Sequence, residues 1–328
     1  MGYIEYLAAR EILGLIGQPV ITYIFFISLF ICIFSIVYLI KRDNKYFDYL
    51  IKCLYVSTGL YLVGFFILAW FHLQIYNTVL IEYPAAMQQM IPVESSRFAI
   101  PLWIENEKLY FWAMCASVFV LTVKRRKDIL SFLGVILSIF SVIVYLLSNP
   151  FNDPLPIVHG EITRWFAALF TSDMTIFQVA GTLYGRITYY YNSTYMWTHP
   201  PMLFIAYASL IITFAACVFM LLKKDRLYDE IAYKYSKIGY LLLTTGMLIG
   251  YPWAIEAWKD SAWWWDPKIS GSIMMWVLYS AYLHSRIYIS KDKMWKMTAY
   301  LGIICFVSLI FTYLLTYIVP GIHSVVQP

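Results

Sequence analysis

Residues 19–45 read PVITYIFFISLFICIFSIVYLIKRDNK. From Pro19 to Ile40 no charged side chain interrupts the run, and then Lys41, Arg42, Asp43 and Lys45 arrive together. A helix rises about 1.5 Å per residue, so a run of this length matches the roughly 30 Å of hydrocarbon in a bilayer. A segment in lipid must close its own backbone hydrogen bonds, which makes a helix the reading. The pattern recurs along the chain. It predicts eight spans: Pro19–Ile40, Tyr49–His72, Leu109–Val123, Ile129–Leu147, Pro200–Leu222, Ile238–Ile255, Ile269–Ile289 and Met297–Val319.

Composition agrees. Hydrophobic residues make up 61% of the 328 positions and charged residues 13%. Soluble domains carry about 45–50% apolar and about 25% charged residues, so the surplus here must face lipid. The predicted fold class is an all-α, polytopic membrane bundle of about eight transmembrane helices, forming one integral-membrane domain over residues 1–328. Glu5, Arg10 and Glu11 precede the first run without a basic start or a small-residue cleavage site. That run is therefore expected to act as its own insertion signal.

Charge sets the expected orientation. Alternate connections hold Lys41, Arg42, Lys45 and Lys52, then residues 124–127, then Lys223, Lys224, Arg226, Lys234 and Lys237, then Arg286, Lys291, Lys293 and Lys296. These are seventeen of the 24 basic residues. Basic connections stay cytoplasmic, which places both termini outside. The net charge of +5 thus reflects membrane topology and gives no sign of a nucleic-acid partner. Cys32, Cys53, Cys115, Cys217 and Cys305 are scattered singly through the apolar runs, with no CxxC or CxxCH among them. Each reads as a small buried hydrophobe.

Two outside connections are long, 73–108 and 148–199, and loops of that size are usually functional. The second contains Ile162–Phe170 and Thr175–Tyr190, both suited to short amphipathic helices at the membrane surface. The sixth and seventh runs are joined outside by YPWAIEAWKDSAWWWDP, Tyr251–Pro267, with Trp253, Trp258, Trp263, Trp264 and Trp265. An aromatic belt needs one or two indoles per helix end. Three in a row before Asp266-Pro267 suit a large flat π-system. Four of the five histidines, His72, His159, His199 and His323, fall at or near the outer face. His199 opens the fifth run and His323 follows the eighth, so both flank the tryptophan connection. One histidine there reads as an interfacial residue, but two beside an aromatic floor match the needs of a six-coordinate haem iron. Zinc is disfavoured, since no thiolate or HxxxH pair accompanies them.

These residues resemble the haem-handling "WWD" family of cytochrome c biogenesis, which includes CcmC, CcmF and CcsA. The match runs through WAIEAWKDSAWWWDPK at 253–268 and YLHS at Tyr282–Ser285. Upstream it includes NPF at Asn149–Phe151 and HPPMLFIAY at His199–Tyr207, in the manner of CcmF. The resemblance implies that His199 and His323 are axial ligands of an external haem b, on a platform of Trp253, Trp258, Trp263, Trp264, Trp265 and Asp266. His284 matches a family position that helps bind a second haem within the membrane. Ile269 stands where the family usually has an acidic residue, and the long C-terminal extension of CcmF has no counterpart here.

The implied activity is presentation of haem for thioether attachment to CxxCH apocytochromes, as a cytochrome c haem lyase or its core subunit. Arg164, Arg186, Lys259 and Lys268 are the outer cations available to the propionates. The implied partners are the apocytochrome, a second membrane biogenesis subunit and the lipid bilayer, with the site on the extracytoplasmic face. Two other readings remain: a haem exporter or carrier, and a b-type electron-transfer subunit. Helical rise places His284 about 22 Å below the outer end of its run and His72 at the outer end of its own, which separates them in depth. His159 reads as a solvated loop residue.

Overall fold

The structure is a computed structural model that describes residues 2–225, 227–259, 262–288 and 294–322. Eleven α-helices occur among the described residues. They are α1 Gly2–Lys41, α2 Asn44–Thr78, α3 Ala85–Gln88, α4 Glu107–Thr122, α5 Lys127–Leu147, α6 Pro156–Ala168, α7 Asp173–Arg186, α8 Thr194–Lys223, α9 Leu227–Ala257, α10 Pro267–Ser285 and α11 Met294–Ile318. Each predicted apolar run centres on one of them; Ile289, one predicted boundary, lies outside the described residues. Six helices (α1, α2, α5, α8, α9 and α11) are long and apolar enough to cross a membrane. The other two runs fall on α4, of 16 residues, and α10, of 19. The chain is a helical integral membrane protein. The all-α expectation holds; the connection between α2 and α4 adds one small antiparallel sheet, β1 Leu80–Glu82 against β2 Ser95–Arg97, in which Ile81 faces Ser96.

Several helices overrun the apolar runs that predicted them. α1 begins at Gly2 rather than Pro19 because its polar residues have partners: Arg10 pairs with Asp153 at 2.5 Å, and Gln18 accepts from Asn149 Nδ2 at 3.1 Å. Helices occur near the two expected stretches as α6 and α7, the latter capped by Ser172 and followed by a π-helical turn, Ile187–Tyr191. His159 departs from its reading as a solvated loop residue. It lies on α6, with Nδ1 2.9 Å from the Tyr6 hydroxyl.

The described residues fall into two compact units. One comprises the described part of Met1–Ile33, with Ile51–Met114 and Leu137–Thr198. Its core is plugged by Phe151 of the NPF segment, which is buried and meets Tyr110 edge-on at 5.6 Å. Asn149 Oδ1 accepts the Phe151 amide at 3.0 Å, an Asx turn that aims the ring inward. The ring occupies the space where Gly17 and Gly64 lack side chains. In the same unit His72 is buried, with Nδ1 2.8 Å from the Ile100 carbonyl and Nε2 2.8 Å from Glu107 Oε1. Asn192 accepts the Ala99 amide and donates to the Arg97 carbonyl, tying the connection between α2 and α4 to the residues ahead of α8.

The second unit comprises Phe34–Leu50, Cys115–Ile136 and the described part of His199–Pro328. At one end three basic connections converge. Asp128 pairs with Arg42 and lies 3.7 Å from Lys223, while Lys127 donates to Asn44 Oδ1 at 2.7 Å. Arg42 and Lys224 adopt positive φ of 59° and 53°, the left-handed caps that end α1 and α8. Arg286 makes two bonds to Asp229 (3.1 and 2.6 Å) and stacks on Tyr233. A glycine row on α9 lets α8 approach closely: Gly239 faces Leu210 and the Ala206 carbonyl, Gly246 faces Leu203, and Gly250 faces His199. Cys115, Cys217 and Cys305 are buried, as read from sequence, and Cys32 and Cys53 are partly so.

Phe151→Ala should leave a cavity costing about 3–5 kcal/mol, read as a lower midpoint of thermal unfolding in detergent. Glu105, in the loop before α4, accepts the Ile157 and Val158 amides at 2.7 and 3.3 Å, yet burial lifts its carboxyl to about 7. A folded-state value above the ordinary 4.5 means that the native state holds the proton more tightly. Its contribution to stability is complete below the ordinary value and is lost as pH rises through about 7. Glu105→Gln should flatten the melting temperature between those two values, measured by scanning fluorimetry across pH.

Candidate functional site

The site begins with a helix pair. Gly246 and Gly250 stand one turn apart on α9, and a β-carbon on Gly250 would lie 2.6 Å from the His199 Cε1 and Nδ1 atoms. The missing side chain admits the imidazole, whose Nδ1 is 2.7 Å from the Gly246 carbonyl. A carbonyl only accepts, so Nδ1 carries the proton, and in the neutral ring Nε2 is the basic nitrogen. A backbone carbonyl on one ring nitrogen is the usual way a protein orients a histidine whose other nitrogen binds a metal.

Around it the indoles form two groups. Trp253, 5% exposed, lies nearly parallel to His199 with ring centres 6.3 Å apart and meets Trp258 at 4.6 Å. Trp263 packs on Tyr251 at 5.5 Å and on Trp264 at 5.7 Å. Tyr251, Ile255, Lys259, Trp263 and Trp264 line an open groove of about 470 Å³. Trp264 and Trp265 are 53% and 77% exposed. The connection is shorter than expected because α9 continues through Ala257 despite Pro252, so Trp253 sits on a helix. Burial of Trp253 and Ala254 holds that last stretch in place.

Asp266 has a structural role that the sequence reading passed over. It is buried and caps α10, its Oδ1 accepting the Lys268 and Ile269 amides at 3.0 and 3.3 Å, with Pro267 next in the first turn. Asp-Pro ahead of an apolar run is a helix-start signal. Gly321 passes so close that a β-carbon there would lie 2.6 Å from Asp266 Oδ2. The segment leading to His323 therefore crosses the tryptophan-rich connection, while His323 itself lies outside the described residues.

His284 is exposed on the last turn of α10, its Nδ1 3.1 Å from the Ser280 carbonyl. Of the four cations expected to serve the propionates, Lys259 lines the groove, while Arg186 pairs with Glu161 at 3.2 Å. Tyr251, Ile255, Gly246 and Gly250 escaped the sequence reading. The small-xxx-small spacing of the two glycines was the signal that could have found them.

A polytopic helical membrane protein with a WWD segment, and a helix-borne histidine held against its first tryptophan, is the class these elements define. The profile of the cytochrome c assembly protein family matches residues 103–323, and the chain belongs to that family. Relatives are named cytochrome c biogenesis protein CcsA. One from Gloeobacter violaceus is 38% identical over 97 residues, 29% of this chain and 28% of that protein. One from Guillardia theta is 28% identical over 243 residues, covering 71% and 78% of the two chains. The solved cytochrome c haem lyase CcmF shares the fold, with a TM-score of 0.64 at 17% identity over 92% of this chain and 47% of that one. The chain thus spans about half the length of that lyase.

Gly250→Ala should force the imidazole off the Gly246 carbonyl and cost about 1–3 kcal/mol in unfolding free energy. Gly59→Ala on α2, where a β-carbon meets nothing within 4 Å, is the control, with stability unchanged or slightly raised in the same melts.

Proposed function

We propose that the chain holds haem b on the outer membrane face and presents it for thioether attachment to apocytochromes bearing CxxCH. The observation that carries this reading is the orientation of His199, fixed by Gly246 and set beside Trp253. The donor set fits: Nε2 of a neutral imidazole suits haem iron, and indole faces with an adjoining groove suit a flat macrocycle. His199 and His323 would ligate the haem iron. Trp253, Trp258, Trp263, Trp264 and Trp265 would supply the platform, and Lys259 is the cation best placed for a propionate. Asp266 would serve through the α10 cap, against which Gly321 passes closely. His72 has both ring nitrogens engaged, which argues against its being an iron ligand.

Haem supplies two vinyl groups, and each client thiol adds its S–H across one C=C bond, forming C–S and C–H bonds without an oxidant. The chain's part is to fix orientation and bring the reactants together. The client histidine then displaces one of the two histidines, which releases the product. His284 fits a second intramembrane haem whose other ligand comes from a partner subunit. In this reading both termini and the WWD segment are extracytoplasmic, in agreement with the basic connections that converge on Asp128.

The test is the dithionite-reduced spectrum of purified protein, together with covalent haem on a co-expressed CxxCH client. The parent should give a low-spin b-type spectrum. His199→Ala and His323→Ala should each lose it and lower covalent haem on the client by at least about ten-fold. A parent that takes up no haem would sink the proposal. Haem uptake without thioether formation would favour a carrier.

A further inference from the structure

Pro200 and Pro201 stand within α8, just past its first turn. Neither has an amide N–H, so the carbonyls four residues back, of Met196 and Trp197, lose the bond an α-helix would give them. A bare carbonyl away from water is unfavourable, and such groups find another donor. The Met196 carbonyl has one: Trp103 Nε1 lies 2.7 Å away. Indole nitrogen is a donor only, so the sense of the bond is unambiguous.

The donor is held firmly. Trp103 meets Trp197 edge-on at 5.7 Å and Phe111 at 5.2 Å. Its loop is pinned on both sides, by Asn192 at Arg97 and Ala99, and by His72 at Ile100 and Glu107. The buried pair formed by His72 and Glu107, to which the function above gives no part, thus fixes the loop that carries Trp103. His199 follows Met196 by three residues on the same helix.

We propose that Trp103 is a positioning residue for His199: its indole N–H replaces the backbone donor that Pro200 lacks and so holds the turn of α8 that leads into the histidine. The consequence for iron ligation rests on the haem reading above, whereas the replacement of the hydrogen bond stands apart from it.

The deciding experiment is amide hydrogen exchange of haem-free, full-length protein in nanodiscs. Trp103→Phe should speed exchange of the Thr198 and His199 amides by roughly five- to ten-fold, the effect of losing one hydrogen bond on a local opening. Adding Pro200→Ala restores a backbone donor to Met196, so the double variant should return to the parental rate. Packing alone would not be rescued in this way. Should Trp103→Phe fail to fold, benzothienylalanine at position 103 keeps the ring shape and removes the N–H. Exchange unchanged by loss of the N–H, or an increase that persists with Pro200→Ala, would overturn the proposal. In haem-loaded protein, the same single variant should convert part of the low-spin signal to high-spin, and the double variant should recover it. A parent without haem would remove the haem reading while leaving the exchange result to decide the role of Trp103.

Discussion

A backbone carbonyl inside a membrane helix has no water to turn to, and this constraint organises the chain. It makes each apolar run a helix, and it turns every proline within a helix into a demand for a donor from elsewhere. Prolines fall within α1, α8 and α9. Those of α8 lie immediately beyond His199, so the place where the helix is least able to hold itself is also where the candidate site needs it most rigid. The indole of Trp103 meets one of these demands. The glycine row of α9 meets a related one, because it brings a backbone carbonyl of α9 within reach of the imidazole. Orientation of His199 is thus a backbone matter on both counts.

The tryptophan-rich connection divides its work. Trp253 and Asp266 are buried and serve the architecture, the first beside His199 and the second as the cap of α10. Trp264 and Trp265 stand in the open. Such a gradient from fixed to accessible indoles suits a site that must orient a ligand on one side and leave it approachable on the other.

Most of the fold was legible because lipid imposes a strong and simple pattern: uncharged runs for helices, basic clusters for one set of connections. Helix ends were not, since Gly2–Gln18 and Leu227–Lys237 stay helical through polar partners that apolarity does not report, such as Asp153 for Arg10 and Arg286 for Asp229. The indoles and His199 were legible from composition and position. Gly246 and Gly250 were legible in principle from their spacing. Trp103 was not, because its importance arises from a proline some hundred residues later in the chain, and only the folded arrangement brings the indole to the Met196 carbonyl that this proline cannot serve.

Asp128 has a consequence in time as well as in space. It serves Arg42, made long before it, and Lys223, made long after. While the chain is being synthesised, Arg42 waits without this counter-charge until α5 emerges. The cluster is completed only once α8 has been threaded and its last turn brought alongside. One carboxylate therefore spans the order of synthesis: α1 and α2 can be placed early, Arg42 in their connection gains its counter-charge with α5, and the same carboxylate later meets the end of the helix that carries His199.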